Sequence, residues 1–195
     1  GKTSLVKKVL STLADNSDIL TVYLDIYDCR NDYDFYNKLA AAVIRQTSGR
    51  MEQWLEDARD FLARLSPKVS FSMDPNNEYS LSLGITPATH TPEEVLALPE
   101  TIARKRGKSV VVCIDEFQQI GEMNDSLTIQ QRMRGAWKPQ QHCTYCPFAS
   151  KKHMMIRLFQ DKRMPFYQFG EMMMLSRIPT ADWVAYIQQR FESRG

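Results

Sequence analysis

Long hydrophobic runs are missing from this chain. No stretch approaches the ~20 consecutive apolar residues that a membrane-spanning helix requires, so nothing in it reads as a membrane span. An excess of charge of one sign is missing too. The 25 Lys and Arg against 23 Asp and Glu leave a net charge of +2, which makes no whole-chain case for nucleic acid or for a membrane surface. The basic clusters Arg104-Lys105-Arg106-Gly107-Lys108 and Lys151-Lys152-His153 are short, and the first reads as a solvated helix end. Cysteine is scarce: Cys29, Cys113, Cys143 and Cys146 suit a reducing compartment better than a disulfide scaffold, and the cytoplasm is the expected location. Cys143-x-x-Cys146, with His142 and His153 nearby, lacks the second C-x-x-C that a zinc site of this kind needs. If 142–148 is a strand, positions three apart point to opposite faces and cannot ligate one ion. Internal repeats and low-complexity tracts are absent, and the ten methionines read as core filler.

What remains is an ordinary globular composition, 195 residues with 43% hydrophobic and 25% charged, enough for one domain with a sizeable core. Residues 3–13 place Leu5, Val6, Val9, Leu10 and Leu13 at helical spacing. Residues 19–26 read as a strand, 32–46 as an amphipathic helix with an acidic first turn, and 51–65 as another helix. Apolar residues alternate with serine on either side of Asp74-Pro75-Asn76-Asn77, which predicts a β-hairpin insertion near 69–85. A helix from Thr91-Pro92 to about Arg106, a strand at 109–115, a helix at 124–137, a short strand at 142–148 and a helix at 151–160 follow. Residues 172–178 then read as a last strand, and 180–194 as a last helix capped by Thr180. Strands alternating with helices predict an α/β domain with a mainly parallel sheet.

Two segments carry chemistry. Gly1-Lys2-Thr3-Ser4 matches the end of a phosphate-binding loop, G-x-x-x-x-G-K-S/T, in which backbone N–H groups and a helix N-terminus converge on phosphate oxygens. Lys2 is expected between the β- and γ-phosphates, the Thr3 hydroxyl on Mg²⁺, and Ser4 on the α-phosphate. A bare G-K-S/T arises by chance roughly once in two thousand positions, so alone it is weak. The support is Val110-Val111-Val112-Cys113-Ile114-Asp115-Glu116, a buried apolar strand ending in two carboxylates where α/β sheets place their ligands. Asp115 is the expected Mg²⁺ ligand, and Glu116 the residue that orients and deprotonates attacking water.

Read in order, GKTSLVKKVL, VVVCIDEFQQI, MRGAWKPQQHCTYCPFASKKHMM and MPFYQFGEMMMLSRIPTADWVAYIQQRF resemble the archaeal-type ATPase family, a P-loop group allied to the STAND and AAA+ NTPases. The last two blocks are the more family-specific. The resemblance implies an ASCE-type three-layer α/β/α fold with ATP and Mg²⁺ as cofactors. It also implies that Ser150 is a polar sensor near the γ-phosphate, while Arg134 takes a structural or interface role. Ala149 stands where the family has glycine, and Pro147 removes a strand N–H. It further implies that 1–195 is one ATPase domain whose first central strand and early loop lie before residue 1, with an effector region beyond 195. The function so implied is Mg-dependent ATP binding and hydrolysis as a switch or motor, with 1–195 alone binding ATP poorly. The alternatives are a nucleotide-gated interaction module with little hydrolysis, which takes a protein partner or a second copy, and an origin-recognition-like DNA-binding ATPase.

Overall fold

Apolar β-branched residues at consecutive positions favour a strand covered on both faces, and the strand at Ser109–Asp115 is the centre of the molecule. In the computed structural model, residues 1–48 and 92–193 are described; the expected helix at 51–65 and hairpin at 69–85 lie outside them. The described elements are α1 (Lys2–Leu13), β1 (Ile19–Asp25), α2 (Asp32–Thr47), α3 (Pro92–Arg106), β2 (Ser109–Asp115), a 3₁₀ turn (Phe117–Gly121), α4 (Ser126–Trp137), β3 (Cys143–Pro147), α5 (Lys152–Gln160) and α6 (Thr180–Glu192). None of the described helices is long and apolar enough to cross a membrane.

The three strands form one parallel sheet in the order β1-β2-β3. Register pairs Tyr23 with Cys113 and Asp25 with Asp115 across one boundary, and Cys113 with Cys146 across the other. Alternation then divides the sheet into two faces. Val22, Leu24, Val110, Val112 and Ile114 join the core with α2, α3 and α4. Thr21, Tyr23, Asp25, Cys113 and Asp115 fall on the other face, where α1 lies: Lys7 Nζ sits 4.6 Å over the Tyr23 ring. A mainly parallel sheet between helical layers is the expected α/β architecture.

Local chemistry sets the covering helices. Asn31 caps α2, its Oδ1 accepting the Asp34 N–H at 2.9 Å, while Asp34 Oδ2 accepts the Arg30 N–H at 2.8 Å. Phe35, Leu39, Val43 and Thr47, with Tyr36, Ala40 and Ile44, form the buried stripe of α2 at i, i+4 spacing. The side chain of Gln46 closes the outer edge of β1. It accepts the Tyr23 N–H at 2.9 Å and donates to the Tyr23 carbonyl at 2.7 Å, in the manner of a neighbouring strand. Glu100, buried in α3, gathers the His142 ring and N–H, the Gln141 N–H and the Arg104 guanidinium. Burial works against its charge, but these donors outweigh it and hold the carboxyl down at about 2. It ties the end of α3 to the start of β3.

Two expectations need correction. Residues 172–178 form no strand, and all of them except Met172 are exposed. A strand is stabilised by its ladder and by packing on a sheet face, and among the described residues this segment has neither. Helix α6 starts where expected, but its N-cap is Pro179 with no side-chain cap, so Thr180 is the first helical residue rather than the cap. Helix α1 forms where expected, and it buries only Leu10, with Leu5 50% and Val9 48% exposed.

Candidate functional site

The C-terminal end of β2 brings together residues far apart in sequence. Thr3, in the first turn of α1, donates from Oγ1 to Asp115 Oδ2 at 2.8 Å. Asp115 is only 4% exposed, and a carboxylate so placed needs donors on its oxygens. The Tyr23 hydroxyl donates to the same Oδ2 at 2.9 Å, and the Glu116 N–H donates to Oδ1 at 2.9 Å. Burial, followed by the bond to Asp115, holds Tyr23 well above the ordinary tyrosine value, so it remains a donor throughout the neutral range.

Glu116 leaves the strand in the left-handed region, φ 54° and ψ 37°, which few non-glycine residues adopt. Such a conformation persists only where its surroundings enforce it, and here they do. Gln118 Nε2 donates to Glu116 Oε2 at 2.6 Å, and Ser150 Oγ donates to Oε1 at 3.1 Å. Beneath them Phe117 and Phe166 are fully buried with ring centroids 5.7 Å apart, and Phe166 stacks on Phe159 at 5.3 Å. Arg134 holds the chain around Phe166 by donating to the carbonyls of Pro165 and Tyr167, with its guanidinium 5.3 Å from the Phe169 ring centroid. The block following α5 therefore supports the turn that aims Glu116, and the bonds of Arg134 are internal ones.

Pro147 does not break the pairing behind Ser150. The Phe148 N–H donates to Ile114 O at 2.9 Å and the Phe117 N–H to Phe148 O at 3.1 Å. Successive strand N–H groups point to opposite edges, so the nitrogen of Pro147 faces away from β2 and removes no bond from that ladder. Cys143 lies on the core face near Glu100, whereas Cys146 meets Cys113 on the opposite face. Among the described residues, no three His, Cys, Asp or Glu side chains are grouped to hold a metal.

With the strand ends, the first turn of α1 and the acid pair in place, comparison with known proteins bears on the fold. The structure is similar to the ORC2 protein of Aeropyrum pernix, solved as ADPNP–ADP complexes, with a TM-score of 0.58 and 13% identity over 98% of this chain and 42% of that one. It is also similar to the Walker-type ATPase PABY2304 of Pyrococcus abyssi, with a TM-score of 0.52 and 13% identity over 86% of this chain and 43% of that one. The fold, mixed α/β with a small parallel sheet, resembles that of these P-loop ATPases. No family model and no curated protein matches the sequence. The chain spans less than half the length of either solved neighbour.

In this fold, Gly1 is the N-cap of α1, Lys2 and Ser4 are exposed in its first turn, and Thr3 reaches Asp115. The first intrahelical bond runs from the Leu5 N–H to Gly1 O, so the N–H groups of Lys2, Thr3 and Ser4 point out of the helix end. Thr3 Oγ1 and the Asp115 carboxylate suit Mg²⁺. Their 2.8 Å separation is close to the ~2.9 Å between adjacent ligands of an octahedron with ~2.0–2.1 Å bonds. Tyr23 and Gln118 were not singled out by sequence reasoning. The signal for Tyr23 was present: in ILTVYLD the polar Thr21, Tyr23 and Asp25 alternate with core residues and share the face of Asp115.

Proposed function

We propose that residues 1–195 form the ATPase domain of a longer protein, binding ATP with Mg²⁺ and hydrolysing it as a switch or motor for an attached region. The observation that carries this reading is the Thr3 Oγ1–Asp115 Oδ2 contact of 2.8 Å, which joins the phosphate-loop end to the acid strand across 112 residues. Lys2 and the free N–H groups of the first turn of α1 bind phosphate oxygens. Thr3 and Asp115 hold Mg²⁺, which when bound neutralises developing charge on the phosphates. Glu116 accepts the proton of the attacking water, and Ser150 sits beside it facing the γ-phosphate. Tyr23 keeps Asp115 oriented by donating to its Oδ2.

A second reading, a nucleotide-gated interaction module that hydrolyses slowly and engages a protein partner, has its own support. Both Glu116 oxygens already accept hydrogen bonds, from Gln118 and Ser150. Such bonds occupy lone pairs that a base would otherwise offer to an attacking water. An origin-recognition-like, DNA-binding role draws no preference from a 13% likeness, which concerns the fold. The half-exposed α1 and, among the described residues, the unladdered 172–178 and the unpaired outer edge of β3 support the further proposal that a strand outside residues 1–195 completes the site. Titrating Mg-ATP against 1–195, and against the same residues with their natural flanks, tests this. Binding should be weak in the first and tight in the second; tight binding by 1–195 alone would contradict it.

A further inference from the structure

The four cysteines pair differently in space than in sequence. Cys143 and Cys146 are neighbours in the chain but project from opposite faces of β3. Cys146 is in direct register with Cys113 of β2, 33 residues earlier, and alternation puts both side chains on the same face of the sheet. Adjacent strands lie ~4.8 Å apart, inside the ~4.4–6.8 Å Cα separation that a disulfide spans. Cys113 is 4% exposed, walled in by the sheet, whereas Cys146 is exposed to solvent. The arrangement is that of an accessible attacking thiol with a resolving thiol behind it. Cys29, by contrast, is buried alone beneath α2, and burial pushes its thiol up to about 12.

We propose that Cys146 and Cys113 form a reversible thiol-modification site that takes low-molecular-weight disulfides and closes to a Cys113–Cys146 disulfide. The sulfur of Cys146 attacks one sulfur of R–S–S–R, forming a mixed disulfide and expelling one thiolate. The sulfur of Cys113 then attacks Cys146 Sγ, expels the second thiolate, and its proton passes to that leaving group. Two protein thiols are oxidised to one disulfide, and R–S–S–R is reduced to two R–SH. The neighbouring Cys113 thiol brings the Cys146 thiol down to about 7, which favours the first attack near neutral pH. The bond so formed joins β2 to β3 two residues before Asp115 and four before Ser150, on the face that carries Asp115. The site stands independently of the ATPase reading.

Native protein exposed to oxidised glutathione, blocked with an alkylating agent and digested, reads the outcome by mass spectrometry. The expected product is an intramolecular Cys113–Cys146 bond in at least tenfold excess over any other pairing, reversed by dithiothreitol. It should be unchanged in Cys143→Ser and abolished in Cys146→Ser. Cys113→Ala should stop at the mixed disulfide on Cys146. Circular dichroism of each variant identifies any that has unfolded, and wild type with Cys143→Ser suffices to decide. A Cys143–Cys146 bond, a link between chains, a stable mixed disulfide in wild type, or no reaction without denaturant would overturn the proposal.

Discussion

Around β2, Val112 and Ile114 have no exposure and helices α2, α3 and α4 share the core on one face; along α6 every described residue is exposed, including Phe191 at 77%. Both regions carry amphipathic patterns of similar quality. What differs is the partner. β2 is flanked on both sides and roofed by α2, α3 and α4, while α6 buries no described residue and the segment before it is held at Met172, whose Sδ accepts from Gln160. Periodicity specifies which face of an element seeks burial; only a second element supplies it. The candidate site joins the sealed part to α1, a second helix with little burial. Its acids, Tyr23 and Gln118 belong to the sealed part, whereas Ser150 is exposed and Lys2, Thr3 and Ser4 belong to a helix that buries one residue.

The sharpest way to break this contrast is aromatic truncation on either side of it. Phe166→Ala in the sealed part should cost about 3–5 kcal/mol, because its ring packs on Phe117, Phe159 and Trp137. Phe191→Ala should stay within about 0.5 kcal/mol. Urea unfolding monitored by circular dichroism checks both, and equal losses would mean that α6 is packed.

Acid titration sharpens the comparison further. The Glu100 carboxyl is held at about 2 in the folded protein against an ordinary 4.5. Its contribution is therefore complete above pH 4.5 and lost as pH falls from there toward 2, up to about 3 kcal/mol. Glu100→Gln should lower stability at pH 7 and flatten the curve between pH 4.5 and 2. An unchanged slope would mean that its donors do not hold it.

Arg134→Met should cost about 2 kcal/mol by freeing two carbonyls, and it should also loosen Glu116, seen as a lowered ATPase rate at unchanged KM. Asn31→Ala should cost about 1 kcal/mol by uncapping α2, with no effect on the site.

Much of this was legible in the sequence. The apolar run ending in Asp115-Glu116 needed no partner information to be read as a central strand, because a chain buried on both faces has few polar residues. The contact of Thr3 with Asp115 followed from two motifs with a known spatial relation. Residues 172–178 misled because a short apolar run, here three methionines and Leu175, shows the same pattern whether or not a ladder awaits it. Tyr23 and Gln118 were hidden for another reason. Their roles depend on the register between strands and on the left-handed turn at Glu116, and neither leaves a periodic mark.

The most direct test of the central claim is phosphate release from saturating Mg-ATP by the full natural chain, comparing wild type with Glu116→Gln. If Thr3, Asp115, Glu116 and Ser150 form a hydrolytic site, the variant should bind Mg-ATP as tightly as wild type and release phosphate at least about 100-fold more slowly. Equal rates in the two proteins, with binding intact, would contradict it.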